Sequence, residues 1–387
     1  KRIIDLEIDL PEETVIVKDM VQKFVERELI PLEEELKDRK NSYELPDDIK
    51  DDLENKIKNI GLWAMDAPEE VGGAGLNLLD HCVVIEEAFK STVGRCLWSS
   101  LFFPVLYKLG NNQQKEKYLN PSVNGDFHGA AAYSEPNAAG DLAGIQTSAE
   151  QVKGGWVING NKCWISHALT AKFFLVLTRV KGTKRHDGIT WFIIDRETKG
   201  FSVGREQGMI HGQPTYELSL DECFVSDDQL LGKPNQGWVA GEEALFRGRL
   251  LVSARAIGIA QRCFDMMVKY STERVTFGKP LSSRQAIQWM IADSATEIHA
   301  SRLMLYHSAI KAQKKNKIHS ELAMLKLFTS EMAGRVVDRA VQIHGAMGLS
   351  DETILERCYR DVRPMRIYEG SSEAMRSLVA KNVIKNI

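Results

Sequence analysis

A strand-like segment inside an otherwise helical sequence limits the fold more than any other feature. Residues 129–237 contain short apolar runs rich in β-branched and aromatic residues, such as KFFLVLTRV and ITWFIIDR, with turn pairs such as Asn159-Gly160 between them. Residues 1–128 and 238–387 instead place apolar residues at helical spacing. We therefore predict a mainly α protein with a central β domain. The predicted domains are 1–128 (all helical), 129–237 (β) and 238–387 (helical), because 387 residues are too many for one core.

One helix boundary can be predicted from local chemistry. Asp80 precedes the run HCVVIEEAFK, in which Ile85 and Phe89 share a helical face. A carboxylate side chain can accept a hydrogen bond from the free N–H groups of a first helical turn. Asp80 is therefore the predicted cap of this helix.

Composition excludes several classes of function. The net charge of −3 provides no broad basic field for nucleic acid or an anionic membrane. The six cysteines form no CxxC pair and the histidines lack metal spacing, so no metal site is expected. No apolar run approaches eighteen residues, so no transmembrane segment is expected. The first residues, KRIIDLEIDLPEE, lack the apolar core of a secretory signal. A cytoplasmic location is expected, or the mitochondrial matrix if a transit peptide has been removed.

Four segments carry most of the chemical signal. They are AYSEPNAAGDLAG (132–144), NGNKCWIS (159–166), RVTFGKP (274–280) and the C-terminal block from QIHGAMG to SSEAMR (342–376). In this order and spacing they resemble the acyl-CoA dehydrogenase family over nearly the whole chain. The resemblance implies an FAD cofactor and an acyl-CoA substrate. It also implies a β-barrel-like middle domain and a C-terminal four-helix bundle.

Glu369, in the segment IYEGSSEAMR, is the predicted catalytic base. The resemblance implies that this glutamate takes the α-proton of the thioester, while its backbone N–H and a ribityl hydroxyl of FAD hold the enolate oxygen. The chemistry needs such a group, because an α-hydrogen beside a thioester is weakly acidic and burial can raise the pKa of a carboxylate. Some relatives hold the base one residue before an arginine on another helix. The matching position here is Gly248, before Arg249, which offers no carboxylate.

The resemblance also implies the cofactor contacts. Trp164 would stack beside the flavin, Ser166 would donate to its N5 edge, and Ser134 would contact its pyrimidine edge. Arg274 would reach the FAD pyrophosphate of a neighbouring subunit, since a guanidinium pairs phosphate oxygens bidentately. The full set of predicted cofactor-binding residues is Ser134, Trp164, Ile165, Ser166, Arg274, Phe277, Gln342, Gly345 and Ser371. Taken without the motifs, Trp164 is better interpreted as a buried strand tryptophan, and Arg274 as a solvated arginine at a helix end.

Two positions depart from the family pattern. Gly140 stands where the family usually has a serine, which removes one hydroxyl from the cofactor or substrate side. Ala346 replaces the second glycine of the turn that meets the adenine half of FAD.

The predicted substrate-binding residues are Arg249, Tyr368, Gly370 and Trp98. Phe246 stands where the family often has an aspartate near Arg249, so an ion-pairing role for Arg249 is an equal alternative. Trp98, with Phe102 and Phe103, lies in CLWSSLFFPVLY, a predicted helix of the acyl pocket. These bulky rings favour a short or compact acyl chain, and the alternative is that they belong to the core.

The resulting hypothesis is FAD-dependent α,β-dehydrogenation of an acyl-CoA to the trans-2-enoyl-CoA. Electrons would pass to an electron-transfer flavoprotein, and the enzyme would be a homo-oligomer, by resemblance a dimer of dimers. Two alternatives stay open. One is an oxidase that passes electrons to oxygen, and the other is a catalytically silent relative that binds acyl-CoA.

Overall fold

The structure is a computed structural model, and it describes residues 8–36, 45–98, 102–314 and 318–385. The chain divides into two compact units. Unit 1 comprises Lys1–Leu62, Leu76–Trp98 and Phe246–Ile387, and unit 2 comprises Trp63–Gly75 and Ser99–Leu245. The predicted order of helices, then strands, then helices is confirmed. The predicted domain boundaries, after residues 128 and 237, stay predictions.

Helices dominate the first and last parts of the chain. They are α1 Glu12–Phe24, α2 Ile30–Glu35, α3 Asp47–Asn59, α4 Leu78–Ala88, α5 Phe103–Leu109, α6 Asn112–Gln114, α7 Asn120–Asn124, α8 Gly237–Glu273, α9 Gln285–Gln313, α10 His319–His344, α11 Ala346–Leu349, α12 Leu355–Val362 and α13 Ser372–Lys385. In unit 1, α10 packs against α9, α12 and α13, and α4 packs against α1 and α9. Apolar residues of α10 such as Leu322, Leu325 and Val336 are fully buried because they recur on one helical face.

The predicted cap of α4 was wrong. The helix begins at Leu78, and its N-cap is Asn77, whose side chain accepts a hydrogen bond from the backbone N–H of Asp80. The Asp80 carboxylate instead accepts a hydrogen bond of 2.6 Å from the hydroxyl of Thr14 on α1. Both residue types are good caps, but in this helix the Asp80 carboxylate binds Thr14 and the side chain of Asn77 instead.

Unit 2 contains an eight-stranded sheet. Its strands are β1 Gly129–Ala132, β2 Ser148–Val152, β3 Gly155–Ser166, β4 Phe173–Val180, β5 Ile189–Asp195, β6 Phe201–Gln207, β7 Thr215–Ser226 and β8 Leu230–Leu231. The order is β6-β7-β3-β2-β4-β5-β8, and β1 pairs with β4 in parallel. The predicted β domain is confirmed, although along the described strands the sheet ends at β6 and β8 and does not close into a barrel.

Strand β4 explains the continuous apolar runs in this region. Phe173, Leu175 and Leu177 belong to one core cluster, while Phe174 and Val176 belong to another. Side chains alternate between the two faces of a strand, so β4 is covered by protein on both faces. A strand buried in this way has no polar face, which is why KFFLVL shows no alternation.

Two absences concern only the part of the chain that the structure describes. None of its helices is both long and apolar enough to cross a membrane. No cluster of three or more His, Cys, Asp or Glu side chains within it could hold a metal ion.

Candidate active site

Glu369 lies in a sharply bent loop between α12 and α13 of unit 1. Its φ is +55°, and the φ of Gly370 is +97°. A positive φ is uncommon for a residue with a side chain, whereas glycine adopts it without steric cost. The loop then enters α13, where the hydroxyl of Ser371 accepts a hydrogen bond of 3.2 Å from the backbone N–H of Ala374. The segment EGSS therefore supplies the strained turn, the glycine that permits it and the polar residue that begins the helix.

Glu369 is half-buried, and one oxygen of its carboxylate is shielded from water. Its Oε2 is buried and has no hydrogen-bond partner among the described residues. Burial raises the pKa of Glu369 to about 7, because a charged carboxylate loses solvation, although Arg249 and Lys326 pull it down. A carboxylate with these properties can hold and release a proton near neutral pH.

Gly248 on α8 makes the space that this carboxylate occupies. A Cβ atom added at Gly248 would overlap Oε2 of Glu369. The two positions considered for the base, 248 and 369, are therefore in direct contact, although they lie far apart in the sequence. Nε of Arg249 donates to the carbonyl of Glu369 at 3.4 Å.

The predicted substrate residues Tyr368, Gly370 and Arg249 all lie around Glu369. The hydroxyl of Tyr368 is buried and has no partner among the described residues, and burial raises its pKa. A buried hydroxyl without a partner is unfavourable unless another group supplies a hydrogen bond. This hydroxyl, like Oε2 of Glu369, is thus a polar atom available to a bound molecule.

The prediction that CLWSSLFFPVLY forms one helix was wrong. A 3₁₀ turn spans Gly94–Leu97, α5 begins only at Phe103, and residues 99–101 lie outside the described residues. Trp98, in unit 1, is half-buried and its ring contacts Phe89 edge-on at 5.8 Å. Phe103, in unit 2, belongs to the hydrophobic core, which favours the core interpretation for this ring.

Unit 2 brings two of the motif segments together through a buried ion pair. Lys162 lies fully buried on β3, and its ammonium contacts Glu135 at 2.9 Å and the carbonyl of Tyr133 at 3.0 Å. The backbone N–H of Cys163 donates to the carbonyl of Ser134 at 3.0 Å. Burial lowers the pKa of Lys162 to about 8, and Glu135 opposes that effect. Sequence reasoning missed this pair, although both charges lie inside the quoted motifs.

A bulge in β3 turns Trp164 outward. The pairing with β7 shifts register between Lys162 and Ile165, and Trp164 has a φ of +60°. Its indole is 50% exposed, and its backbone N–H donates to Gln207 at 3.1 Å. A flat, exposed ring on a fixed backbone can stack on a planar cofactor. Ile165 is in the sheet core and Ser166 is half-buried at the end of β3, so only the backbone of Ile165 could contact a cofactor.

The predicted phosphate-side residues lie on a short hairpin of unit 1. Strands β9 Val275–Thr276 and β10 Lys279–Pro280 pair antiparallel across Phe277 and Gly278. Both turn residues have positive φ, as a two-residue hairpin turn of type I′ requires. Phe277 is 97% exposed and Arg274 is also exposed, so both side chains are available to another molecule.

The predicted adenine-side residues lie at the C-terminal end of α10. Gln342 and Gly345 are found there, Gly345 is exposed, and its φ is +62°. The rings of Tyr270 on α8 and His344 on α10 stack at 4.2 Å, which joins this end of α10 to the end of α8 that precedes Arg274. The structure therefore places the two predicted groups at one end of unit 1.

The two departures from the family pattern cause no clash. A Cβ atom added at Gly140 would have no neighbouring atom within 4 Å, so a serine would fit at this position. For the same reason, no nearby group takes the place of the missing hydroxyl. Ala346 is exposed at the start of α11.

A second lysine was missed by sequence reasoning. Lys326 is completely buried on α10, and its ammonium donates to the carbonyl of Gly370, directly after Glu369. The signal was present in ELAMLKLF, where a lysine interrupts the apolar face of a helix.

Known proteins match along nearly all of this chain. Models of the acyl-CoA dehydrogenase N-terminal, middle and C-terminal domains match residues 11–126, 130–223 and 235–384. Short-chain specific acyl-CoA dehydrogenase, mitochondrial, of Mus musculus is 33% identical over 98% of this chain and 92% of its own length. Acryloyl-CoA reductase (NADH) of Anaerotignum propionicum is 35% identical over 98% of this chain and 96% of its own. The structure of butyryl-CoA dehydrogenase from Megasphaera elsdenii matches with a TM-score of 0.87 and 30% identity, covering 98% of this chain and 100% of that one.

Proposed function

Because the chain belongs to the acyl-CoA dehydrogenase family, a family of FAD-dependent oxidoreductases, we propose that it removes two hydrogens from the Cα–Cβ bond of an acyl-CoA thioester. The product is the trans-2-enoyl-CoA. The observation that carries this proposal is the carboxylate of half-buried Glu369, which has a buried, unpartnered Oε2 and a pKa raised to about 7.

Glu369 is the base that takes the α-proton. In its ionised form it accepts the proton, and because burial favours the neutral form, the protonated product is not a high-energy state. Arg249 and Lys326 keep a fraction of the carboxylate ionised at neutral pH, since each stabilises the negative charge. The backbone N–H of Glu369 is a donor for the enolate oxygen, where it stabilises charge as it develops.

The cofactor is FAD, which when bound supplies the acceptor for the β-hydride. In unit 2 the exposed indole of Trp164 and the neighbouring Ser134, Ile165 and Ser166 would hold the flavin ring. In unit 1 Arg274, Phe277, Gln342 and Gly345 would hold the phosphate and adenine parts of the FAD of a neighbouring subunit, and Ser371 would add a hydroxyl. An exposed flat ring and an exposed guanidinium suit an isoalloxazine and a pyrophosphate, respectively.

The acyl-CoA is proposed to contact Arg249, Tyr368, Gly370 and Trp98. The buried hydroxyl of Tyr368 supports this, because a polar atom without a protein partner next to the base is available to substrate. A compact acyl chain stays a prediction that now depends on Trp98. The acceptor of the electrons is proposed to be an electron-transfer flavoprotein, and the enzyme a homo-oligomer in which Arg274 and Gln342 reach a neighbouring subunit. The location in the cytoplasm or mitochondrial matrix also stays a prediction.

A second candidate is the reverse reaction, reduction of a 2-enoyl-CoA. It is favoured by the 35% identity to a protein described as acryloyl-CoA reductase (NADH). The same residues serve both directions, because the group that removes the α-proton is also the group that returns it. Direction is then decided by the electron partner.

The test is anaerobic titration of the purified protein with a panel of acyl-CoAs, followed by the bleaching of the flavin. Bleaching by saturated acyl-CoAs is expected for the protein and its Glu373→Gln variant, because Glu373 is an exposed acid four residues along the chain. Glu369→Gln should keep the flavin spectrum and lose the bleaching. Bleaching of Glu369→Gln at the unmodified rate would refute the base. A sample that binds no flavin would favour the catalytically silent alternative, and release of hydrogen peroxide during turnover would favour the oxidase.

A further inference from the structure

We propose that Lys326 is a positioning residue for the base: its buried ammonium binds the carbonyl of Gly370 and fixes the loop that carries Glu369. This inference rests on the proposed function of Glu369 as the base. Besides Arg249 on α8, the site then contains a second cation, Lys326, which α10 supplies.

The burial of Lys326 is unfavourable unless its charge is compensated. Lys326 is fully buried, as are Leu322 and Leu325 on the same helix. An ammonium removed from water loses its solvation, so buried lysines are rare unless they are paired. The hydrogen bond that the structure records for Lys326 among the described residues goes to the Gly370 carbonyl.

The loop that Lys326 binds has a backbone conformation that must be held by its surroundings. Glu369 and Gly370 have positive φ in succession, and a strained conformation persists only where the surroundings enforce it. Two cations hold the two consecutive carbonyls: Arg249 from α8 binds that of Glu369, and Lys326 from α10 binds that of Gly370. The loop is therefore clamped from two helices at the residue whose side chain must be aimed.

The same cation acts on the charge of the base. Glu369 faces Arg249 on α8 and Lys326 on α10, and both lower the pKa that burial raises. Lys326 in turn faces Glu369, Arg249, Glu331 and Glu373, while burial lowers its own pKa to about 8. Removing the ammonium takes one stabilising charge from the carboxylate, so the pKa of Glu369 should rise.

A purely structural lysine would behave differently. If Lys326 only filled space, its loss would lower activity without moving the pH at which Glu369 titrates. A positioning residue that also balances the charge of Glu369 must move the pH dependence of the base. The two roles are therefore separated by a pH profile and not by a single rate.

The experiment compares Lys326→Met, which keeps an unbranched apolar side chain but removes the charge, with Lys326→Arg, which keeps the charge. The control is Lys311→Met on α9, where the lysine pairs with Glu321 at the surface. Flavin reduction by substrate is followed in single turnovers from about pH 5.5 to 9, a range that brackets the raised pKa of the base. In the pH–rate profile of Lys326→Met, the acidic limb should move up by about one pH unit, as expected for loss of a nearby opposite charge. Its limiting rate should fall at least ~10-fold, because a misplaced base loses orientation. Lys326→Arg and Lys311→Met should keep the limb in place.

A second readout does not need turnover. The effect of Glu369→Gln on thermal stability is measured against pH twice, once in the unmodified protein and once in a protein that already carries Lys326→Met. In the Lys326→Met background the effect should still begin to grow near the ordinary pKa of the carboxyl, but the pH at which it levels off should move up by the same amount, because only the folded-state pKa of Glu369 has risen. An unmoved limb and an unmoved stability effect in that background would overturn the proposal. If no acyl-CoA bleaches the flavin but the stability effect moves, the proposed function fails and the coupling of Lys326 to Glu369 stands.

Discussion

Replacing Glu369 by glutamine should stabilise the protein at alkaline pH while it abolishes catalysis. The ordinary pKa of this carboxyl is 4.5, and burial raises it to about 7 in the folded chain. Between these two pH values the unfolded chain releases the proton and the folded chain keeps it. Unfolding therefore becomes more favourable as pH rises, and the stability present below pH 4.5 is lost by the time the pH has passed 7. Glutamine has no proton to lose and escapes this penalty.

The magnitude follows from the two pKa values. The difference of about 2.5 pH units between the two pKa values means that Glu369 lowers the free energy of unfolding by on the order of 3 kcal/mol above pH 7. Roughly 1.4 kcal/mol of this loss, about 1 pH unit, has already occurred at about pH 5.5. The advantage of the glutamine variant should therefore grow by roughly 2 kcal/mol between about pH 5.5 and 8.5. For a unit of roughly 150–250 residues this is roughly 4–8 °C in Tm.

The assay is thermal unfolding of both proteins at about pH 5.5, 7.0 and 8.5 with the same saturation of cofactor. The growth of the Tm difference with pH is the diagnostic quantity, because the buried amide of glutamine adds a cost that does not depend on pH. Glu373→Gln is the control. Hydrogen bonds hold the pKa of exposed Glu373 below its ordinary value, so its effect should be constant over this range. A Tm difference for Glu369→Gln that stays constant over the same range would refute the burial argument.

Two further substitutions test the contacts that position the site. Gly248→Ala places a methyl group where Oε2 of Glu369 lies, so flavin reduction should fall at least ~10-fold with the flavin spectrum intact, since a displaced base loses its orientation. Gly334→Ala, on α10 with open space around it, should have unchanged activity, and equal rates for both variants would contradict the overlap. Lys162→Met leaves Glu135 buried without its partner and should lower the free energy of unfolding by about 3–5 kcal/mol in chemical denaturation, as is usual when one member of a buried pair is removed. Adding Glu135→Leu should restore part of that loss, and a double variant no more stable than the single one would argue against an energetic pairing.

Local patterns predicted the elements well where one interaction dominates. The apolar runs of β4 and β5 predicted strands because uninterrupted β-branched and aromatic residues, without polar alternation, suit a sheet that is covered on both faces. The cap of α4 was predicted wrongly because Asn77 and Asp80 are both suitable caps, and the local sequence does not show that Asp80 binds Thr14 on a different helix. The acyl-pocket helix was predicted wrongly because apolar content alone does not reveal a break between two short helices.

The sequence by itself determined which residue types are available for chemistry: a glutamate followed by a glycine, a tryptophan at the end of a strand, and a lysine within an apolar helical face. These follow from local order along the chain, which sets φ preferences and the faces of helices and strands. Only the tertiary structure decided what those residues do together. It placed Gly248 and Lys326 against the loop of Glu369, and it removed that carboxylate from water. The pKa of a side chain depends on everything that surrounds it, and those neighbours are brought together only when the chain has folded.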